Sequence, residues 1–454
     1  MSSATATYSR PTFGGLFSLA WPIIISRSTQ VVAGIFDAFM VGYLGEAALA
    51  ATTTGSFNSF NIFIFPFGIV FIVSSFASQL FGKGDLAGAR RFAWYGLAVA
   101  VATQVVCLVA AVFIHELLLP FQYAGDVRVH LETYLRIRLI AGGAAIGLEA
   151  LSNYYSGLGN TRLPMVIAVA VMVVDVIGNL LFIRGNLGFP ALGVAGAAWT
   201  SSISTMIGFA AFFLYFVREG RGLAKTPLKR SELWEMLRFG VPSGLNWFLD
   251  FAAFSFFLNV VLTGLGTSAL AAFMSVMNLN SVAFMPAFAL SSAGAVLIGQ
   301  AIGAGAKDDV PRTLRMAAIS NIAWMSLCAL AYLFIPATLM GLFVSKDDPN
   351  AALLMATGVT MLRLSPLWAI FDATSMAYAE GLRAAGDTTF TMWARAALAW
   401  FVFAPGSFIS VRYFGHGNVA VMLWVTAYIL LLAVVLVFRF RSGVWRRIAL
   451  TENV

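Results

Sequence analysis

Carboxyl side chains inside long apolar runs are the residues of this sequence best placed to do chemistry. Six of them are Asp37, Glu149, Asp175, Asp250, Asp372 and Glu380. Four arginines occupy comparable places: Arg136, Arg138, Arg363 and Arg395. If these runs cross a membrane, each central charge costs about 2.5–3.5 kcal/mol on insertion scales, so the residues are expected to function or to pair. Glu380 is expected near an interface, and Glu149 receives no assigned role.

Asp37 is the first of these candidates. It follows Pro22 by fifteen residues, in a helix that the proline is expected to kink as a conformational hinge. Removal from water disfavours an ionised carboxyl group, whereas a bound cation favours it. Asp37 could therefore exchange a proton or a sodium ion for another cation. The alternative is a structural hydrogen-bonding role.

Asp175 and Asn179 form a second candidate site. They lie four residues apart, which places both side chains on one face of a helix. A carboxylate and an amide oxygen suit a hard cation such as Na⁺. Thr200 lies near the start of the next apolar run and could add a hydroxyl ligand to a site that includes Asp37. The alternative is a polar pair that holds helices together.

Asp250 lies between two aromatic residues at helical spacing, Trp247 and Phe254. It follows Pro242, a second candidate hinge, by eight residues. A carboxylate beside aromatic rings can bind a flat organic cation through charge and cation–π contact. Aromatic residues at this spacing are also typical of ordinary helix packing.

Asp372 repeats this arrangement, with Trp368 four residues before it and Met376 four residues after it. The ring and the thioether would supply apolar surface for the body of an organic cation. Asp250 and Asp372 are therefore candidates both for binding substrate and for holding a coupling proton or Na⁺.

Motifs for catalysis are absent from the sequence. His115-Glu116 has no second histidine at the spacing of a metalloprotease, and Gly82-Lys83-Gly84 lacks the glycine spacing and hydroxyl of a phosphate-binding loop. The two cysteines, Cys107 and Cys328, lie in apolar runs and predict neither a disulfide framework nor a zinc site. We predict no enzyme activity and no cofactor, so any pumping must use an ion gradient.

The elements that position these residues follow from composition. The chain has 454 residues, of which 60% are hydrophobic and 11% charged, against about 25% charged in a soluble domain. Runs of roughly 20 apolar residues can span a bilayer, and twelve occur here. They are 13–43, 48–81, 92–119, 129–158, 163–184, 189–217, 235–264, 268–302, 313–344, 351–380, 387–412 and 418–440. This pattern predicts an all-α integral membrane protein and excludes a β-barrel.

Basic residues indicate the orientation of the chain. With the N-terminus inside, eighteen Lys and Arg residues fall in inner loops and four in outer loops. This bias predicts a multi-pass membrane protein with both termini in the cytoplasm. The net charge of +8 is then explained by topology and not by nucleic-acid binding.

The sequence also repeats at an offset of about 220 residues. Pro22 is answered by Pro242, Pro66 by Pro286, and Cys107 by Cys328. Two halves of six spans each would be parallel repeats, and such transporters bind substrate between their halves. The predicted division is an N-lobe at 1–217, a cytoplasmic linker at 218–234, a C-lobe at 235–440 and a cytoplasmic tail at 441–454.

Several motifs together resemble the multidrug and toxic compound extrusion (MATE) family. They are Asp37 with Met40-Val41-Gly42-Tyr43-Leu44-Gly45, Ala48-Leu49-Ala50-Ala51, Leu265-Gly266 with Ala269–Ala272, Leu297-Ile298-Gly299-Gln300, and Gly381-Leu382-Arg383 with Gly386-Asp387-Thr388. The resemblance covers nearly the whole chain. It implies a V-shaped pair of six-helix lobes that exports organic cations and amphipathic toxic compounds in exchange for Na⁺ or H⁺.

The resemblance also implies roles for single residues. Asp37 and Pro22 match the acidic residue and the bending proline of the family's first helix, and Asp250 and Asp372 match acidic residues of the seventh and tenth helices. Thr200 also falls on a matching position. One departure concerns the fifth helix, where members with a sodium site commonly have Asn before Asp. Here the order is Asp175 and then Asn179, which leaves Na⁺ and H⁺ both open.

These observations favour a secondary antiporter for small organic cations or amphipathic drugs, working by alternating access and expected to be monomeric in the lipid bilayer. The alternative is a lipid-linked saccharide flippase of the same superfamily, which would favour a cationic cavity and often fourteen spans. A membrane-embedded enzyme would need a catalytic motif that the sequence lacks.

Overall fold

The computed structural model describes residues 9–121, 123, 125–222, 227–343, 351–448 and 450–451. The regular secondary structure of these residues is helical, as the apolar runs predict. Residues 223–226 of the predicted linker, residue 344 at the end of the predicted ninth span and residues 452–454 of the predicted tail lie outside the described residues, as do residues 1–8.

The chain folds into two compact units, and two proline-containing helices are divided between them. The first unit contains Pro22–Gly244, and the second contains residues 245–451 together with 9–21. The division falls at Pro22 in the first helix and two residues after Pro242 in a later one. The two predicted hinge prolines therefore lie where the chain changes unit.

Helices α1 to α9 build the first unit, apart from the start of α1. They are α1 (Phe13–Gly42), α2 (Glu46–Phe71), α3 (Val73–Gly82), α4 (Leu86–Val112), α5 (Ile114–Leu118), α6 (Gly125–Ile140), α7 (Gly142–Gly157), α8 (Arg162–Phe182) and α9 (Gly193–Glu219). Their core includes the fully buried side chains of Leu131, Ile146 and Ala150. Glycine allows close approach within it, since a Cβ atom on Gly157 would lie 2.7 Å from the carbonyl oxygen of Ser74.

Helices α10 to α18 build the second unit, apart from the first turns of α10. They are α10 (Arg230–Phe256), α11 (Thr267–Gly303), α12 (Val310–Phe334), α13 (Pro336–Met340), α14 (Ala351–Leu364), α15 (Pro366–Ala384), α16 (Thr388–Ala397), α17 (Ala404–Arg412) and α18 (Asn418–Arg441). Phe257–Leu262 and Leu398–Phe403 continue α10 and α16 as π-helical segments. The core contains Ile298, Leu314, Leu382 and Leu436.

Ten helices in the described part of the chain are long and apolar enough to cross a membrane, and α14 with α15, bent by 49°, makes an eleventh candidate. The predicted fourth span corresponds to α6 and α7. It is less apolar because α6 alone contains Asp126, Arg128, Glu132, Arg136 and Arg138. Helix α4 begins at Leu86 and not at residue 92. The side chain of Asp85 caps it by accepting from the N–H of Gly88 at 2.7 Å.

Candidate functional site

The first unit brings Asp37 of α1 together with Asp175 and Asn179 of α8. Asn179 Nδ2 donates to Asp37 Oδ1 at 2.5 Å and to Asp175 Oδ2 at 3.3 Å. The two carboxyl groups also lie within electrostatic and hydrogen-bonding reach of each other. Asp175 and Asn179 are buried, and Asp37 is partly exposed. One amide group therefore holds two carboxylates that are 138 residues apart in the sequence.

Helix α9 contributes a hydroxyl group to this cluster, although it comes from Ser204 and not from Thr200. Ser204 Oγ donates to Asp175 Oδ1 at 3.2 Å. Thr200 is buried beside α8, but its hydroxyl donates to Gly196 O in its own helix at 2.8 Å. Sequence reasoning missed Ser204, which lies one helical turn after Thr200 and so shares its face.

The charge of this cluster is set by one arginine. Arg138 of α6 lies within electrostatic reach of Asp37, and its buried Nε has no hydrogen-bond partner among the described residues. When both aspartates are ionised, two negative charges face one positive charge. The Oδ1 atom of Asn179 is also buried and makes no hydrogen bond within the described part of the chain. We call Asp37, Asp175, Asn179, Ser204 and Arg138 the N-cluster.

Glu149, which has no role assigned from its sequence context, pairs with Arg27. The Nη2 atom of Arg27 lies 2.6 Å from Glu149 Oε1, and its Nη1 lies 3.3 Å from Oε2. Asn153 Nδ2 donates to Glu149 Oε1 at 3.1 Å. This pair joins α1, five residues after Pro22, to α7. Arg27 was missed, although an arginine within an apolar run requires an anionic partner and could have been matched to Glu149.

In the second unit, Asp250 of α10 is held from two sides. Arg395 Nη1 of α16 donates to Asp250 Oδ2 at 3.0 Å, and Tyr428 Oη of α18 donates to Asp250 Oδ1 at 3.0 Å. Asp372 of α15 lies within electrostatic reach of both Arg395 and Asp250. This group, called the C-cluster, again sets two aspartates against one arginine. The sequence predicted that Arg395 could neutralise a carboxylate, but it did not indicate Tyr428.

The predicted aromatic partners of these aspartates make packing contacts in the second unit. Trp247 meets Phe288 edge to face with ring centroids 6.1 Å apart, and Phe254 lies 6.4 Å from Phe273. Trp368 and Met376, which flank Asp372, are buried. Trp247 and Phe254 are half-buried, and Asp250 and Asp372 lie within electrostatic reach of each other.

The predicted hinge prolines differ in their surroundings. Pro22 lies inside α1, and Pro242 lies inside α10 between two glycines that pack closely on α2. A Cβ atom on Gly244 would lie 2.6 Å from Phe65 O, and one on Gly240 would lie 3.0 Å from Ile69 O. The start of α10 is thereby fitted against α2 up to the residue where the first unit ends.

The predicted sodium positions were the set Asp37, Asp175, Asn179 and Thr200, and the pair Asp250 and Asp372. Within the described residues, no group of three or more His, Cys, Asp or Glu side chains is arranged to hold a metal ion. In the N-cluster, the amide of Asn179 presents N–H groups to the carboxylates and Thr200 turns its hydroxyl away. The Oδ1 atom of Asn179 has no hydrogen-bond partner in the described part of the chain, so its lone pairs remain as potential ligands.

Comparison with known proteins gives one family. The sequence model described as MatE matches residues 22–181 and 243–409. A probable multidrug resistance protein NorM from Thermotoga maritima is 26% identical over 450 residues, covering 96% of this chain and 94% of the relative. A probable multidrug resistance protein NorM from Pseudomonas putida is 25% identical over 438 residues, covering 95% and 94%.

The fold is also that of solved transporters. A structure described as the outward-facing conformation of a multidrug resistance MATE family transporter of the MOP superfamily matches with a TM-score of 0.88 and 19% identity. The match covers 96% of this chain and 97% of that one. At this identity the likeness establishes the fold alone, and it confirms the prediction of an all-α membrane protein built from two six-helix lobes.

Proposed function

Because this chain belongs to the MatE family, we propose that it is a secondary antiporter that exports organic cations and amphipathic drugs from a bacterial cell in exchange for protons. Family membership makes it a membrane transporter and not an enzyme. The two NorM relatives are named as multidrug resistance proteins, which supports drugs as the cargo. The excess of basic residues in inner loops supports an inner-membrane location with both termini in the cytoplasm.

The observation that carries this proposal is the shared amide of the N-cluster. Asn179 Nδ2 contacts the carboxylates of Asp37 and Asp175 at 2.5 and 3.3 Å, and Arg138 supplies one positive charge nearby. Charged groups away from water are costly unless they are compensated. The uncompensated negative charge favours binding of one monovalent cation. The cluster could take up this cation from one side of the membrane and release it on the other.

A proton fits this geometry better than a sodium ion. Na⁺ is a hard cation and needs several oxygen ligands at once, as hard cations generally do. Here Asn179 directs its N–H groups at both carboxylates, Ser204 has both Asp175 Oδ1 and Ser201 O within reach of its one hydroxyl hydrogen, and Thr200 donates to its own helix. A proton needs only one carboxylate oxygen, and the neighbouring carboxylate can accept a hydrogen bond from it.

Alternating access needs helices that bend, and Pro22 and Pro242 are proposed as the bending points. Each interrupts the backbone hydrogen bonds of a long helix. The two compact units divide at Pro22 and two residues after Pro242. Uptake or release of a proton at Asp37 would then act on α1, which carries both this carboxylate and the first proline.

Efflux of ethidium from proteoliposomes, without ATP, tests the proposal. A proton gradient and a sodium gradient are imposed separately on the parent, on Asp37→Asn and on Asp175→Asn. We expect the proton gradient alone to drive efflux by the parent, and both variants to lose that response. Asp126→Asn, which removes an exposed carboxylate at the start of α6, is the matched control and should behave as the parent. Efflux driven by sodium alone would contradict the choice of ion, and no efflux under either gradient would contradict antiport.

The flippase alternative has less support from the described residues. A lipid-linked saccharide carries phosphate, so its carrier would need surplus positive charge in the membrane. The N-cluster and the C-cluster each set two aspartates against one arginine. Both clusters therefore favour a cationic group over a phosphate.

A further inference from the structure

The ion pair between Arg395 and Asp250 leaves part of the guanidinium group available. Only Nη1 of Arg395 donates to Asp250, and its Nη2 and Nε make no hydrogen bond with any residue that the structure describes. The side chains of Arg395 and Asp250 are 23% and 39% exposed. Since a guanidinium carries five N–H donors in a planar fork, most of the donors of Arg395 have no hydrogen-bond partner among the described residues, and its side chain is not fully buried.

A second arginine–carboxylate pair, in the first unit, shows how a sealed structural pair looks in the same chain. Arg91 donates from both Nε and Nη2 to Glu232 at 2.8 and 2.9 Å, and Tyr95 Oη donates to Glu232 Oε2 at 2.8 Å. These side chains are only 10% and 1% exposed. Two nitrogens of the Arg91 guanidinium donate to Glu232, whereas only one nitrogen of Arg395 donates to Asp250 and the Arg395 side chain is more exposed.

The position of Arg395 within its helix bears on what its exposed side chain can contact. Tyr428 lies near the middle of α18, Asp250 lies more than five turns into α10, which continues to Leu262 as a π-helical segment, and Arg395 lies two turns into α16. Ionised side chains at such depth do not face lipid but pair or face a water-filled space. Because Arg395 and Asp250 are partly exposed ionised side chains, we expect them to face a water-filled space and not lipid.

We propose that Arg395 and Asp250 form a recognition pair for zwitterionic cargo, that is, for molecules carrying a carboxylate and a cationic group, and that Arg395 determines this specificity. The inference rests on the proposed export function and names a substrate class for it. The cargo carboxylate accepts N–H groups from the unused part of the guanidinium fork, a geometry that suits carboxylates. The cationic group of the cargo lies toward Asp250 and Asp372.

Tyr428 supports this arrangement by holding Asp250. Its hydroxyl bond to Oδ1 and the Arg395 bond to Oδ2 use one site on each carboxylate oxygen. A carboxylate has about four lone-pair sites, so Asp250 retains acceptors for a cation. Arg395 therefore presents N–H donors beside the carboxylate acceptors of Asp250. The hydrogen bonds of Asp250 to Arg395 and Tyr428 fix their positions.

Rhodamine B and its ethyl ester are a matched pair of probes. They share the cationic xanthene, but only rhodamine B has a free carboxylate. Efflux of each dye from proteoliposomes is measured for the parent, Arg395→Gln and Arg395→Lys. We expect Arg395→Gln to lower the ratio of rhodamine B efflux to ester efflux about tenfold, the effect of one charge-assisted hydrogen bond. Arg395→Lys keeps the charge without the fork and should lie between the two.

The ester serves as the internal control for folding, since a misfolded variant exports neither dye. Arg91→Gln, which breaks the sealed pair, is the second control and should leave the dye ratio unchanged even if less protein is obtained. An unchanged ratio in Arg395→Gln would overturn the inference, as would a parent that exports the ester but not rhodamine B. Both results would leave the proposed antiport standing. A parent that exports no cationic dye would overturn the proposed function itself.

Discussion

The charge of the N-cluster predicts the stoichiometry of exchange. Asp37 and Asp175 bring two negative charges and Arg138 one positive charge, so the cluster takes up one proton per cycle. Exchange of one proton for one monovalent cation moves no net charge across the membrane. A pH difference of one unit is worth about 1.4 kcal/mol per proton and should therefore sustain about a tenfold gradient of ethidium.

Ethidium accumulation in proteoliposomes measures this value. The steady-state ratio is determined at several imposed pH differences, and a potassium diffusion potential with valinomycin is added at a fixed pH difference. We expect a slope of about one decade per pH unit and no response to the potential. Asp175→Asn leaves one aspartate against one arginine, so its slope should fall to zero while ethidium still equilibrates. A slope of two decades, or a ratio that follows the potential, would refute the charge count.

Three further predictions concern single contacts. Ser204→Ala should weaken proton coupling because it removes a hydrogen bond to the N-cluster, whereas Thr200→Val should leave the pH slope intact; the same ethidium assay separates them. Glu149→Gln should lower the free energy of unfolding by about 2–3 kcal/mol, because it removes the anionic partner of a partly buried guanidinium, and adding Arg27→Gln should restore part of the loss; thermal unfolding in detergent checks both. Gly178→Ala should cost about 1–3 kcal/mol, since its methyl group would lie 2.5 Å from Thr200 Cγ2, and an unchanged melting temperature would contradict this packing.

The positions of the helices could largely be predicted from the sequence. An apolar run of sufficient length must form a helix in lipid, because only internal hydrogen bonding satisfies its backbone. Residues 13–43 were predicted for α1, which is Phe13–Gly42, and residues 418–440 for α18, which is Asn418–Arg441. The predicted third span begins only at residue 92, because the sequence analysis counts Arg90 and Arg91 among the inner-loop basic residues. Helix α4 begins before them, at Leu86. Asp85 caps the helix before them, and Arg91 is neutralised by Glu232.

The identity of the charged partners could be predicted only in part. The sequence indicated which carboxylates require polar or charged partners, and Asp37, Asp175 and Asp250 all have such partners in the structure. It could not assign Arg395 to Asp250 across 145 positions, because the spacing of residues on one helix says nothing about which helices are neighbours. For the same reason the sequence did not indicate Tyr428 or Ser204. Tyrosine and serine are common in helices where they bind no carboxylate.

The net charge of the cargo links the two clusters in one experiment. A zwitterion carries no net charge, so its exchange for one proton moves one positive charge, whereas exchange of its monocationic ester moves none. At a fixed pH difference, rhodamine B gradients should therefore change about tenfold for each 59 mV of membrane potential, and gradients of its ethyl ester should not change. This contrast requires one proton at the N-cluster and the zwitterionic form at Arg395 and Asp250. If both dyes follow the potential equally, the proton count is wrong. If neither follows it, rhodamine B is carried as its protonated cation and Arg395 does not hold its carboxylate.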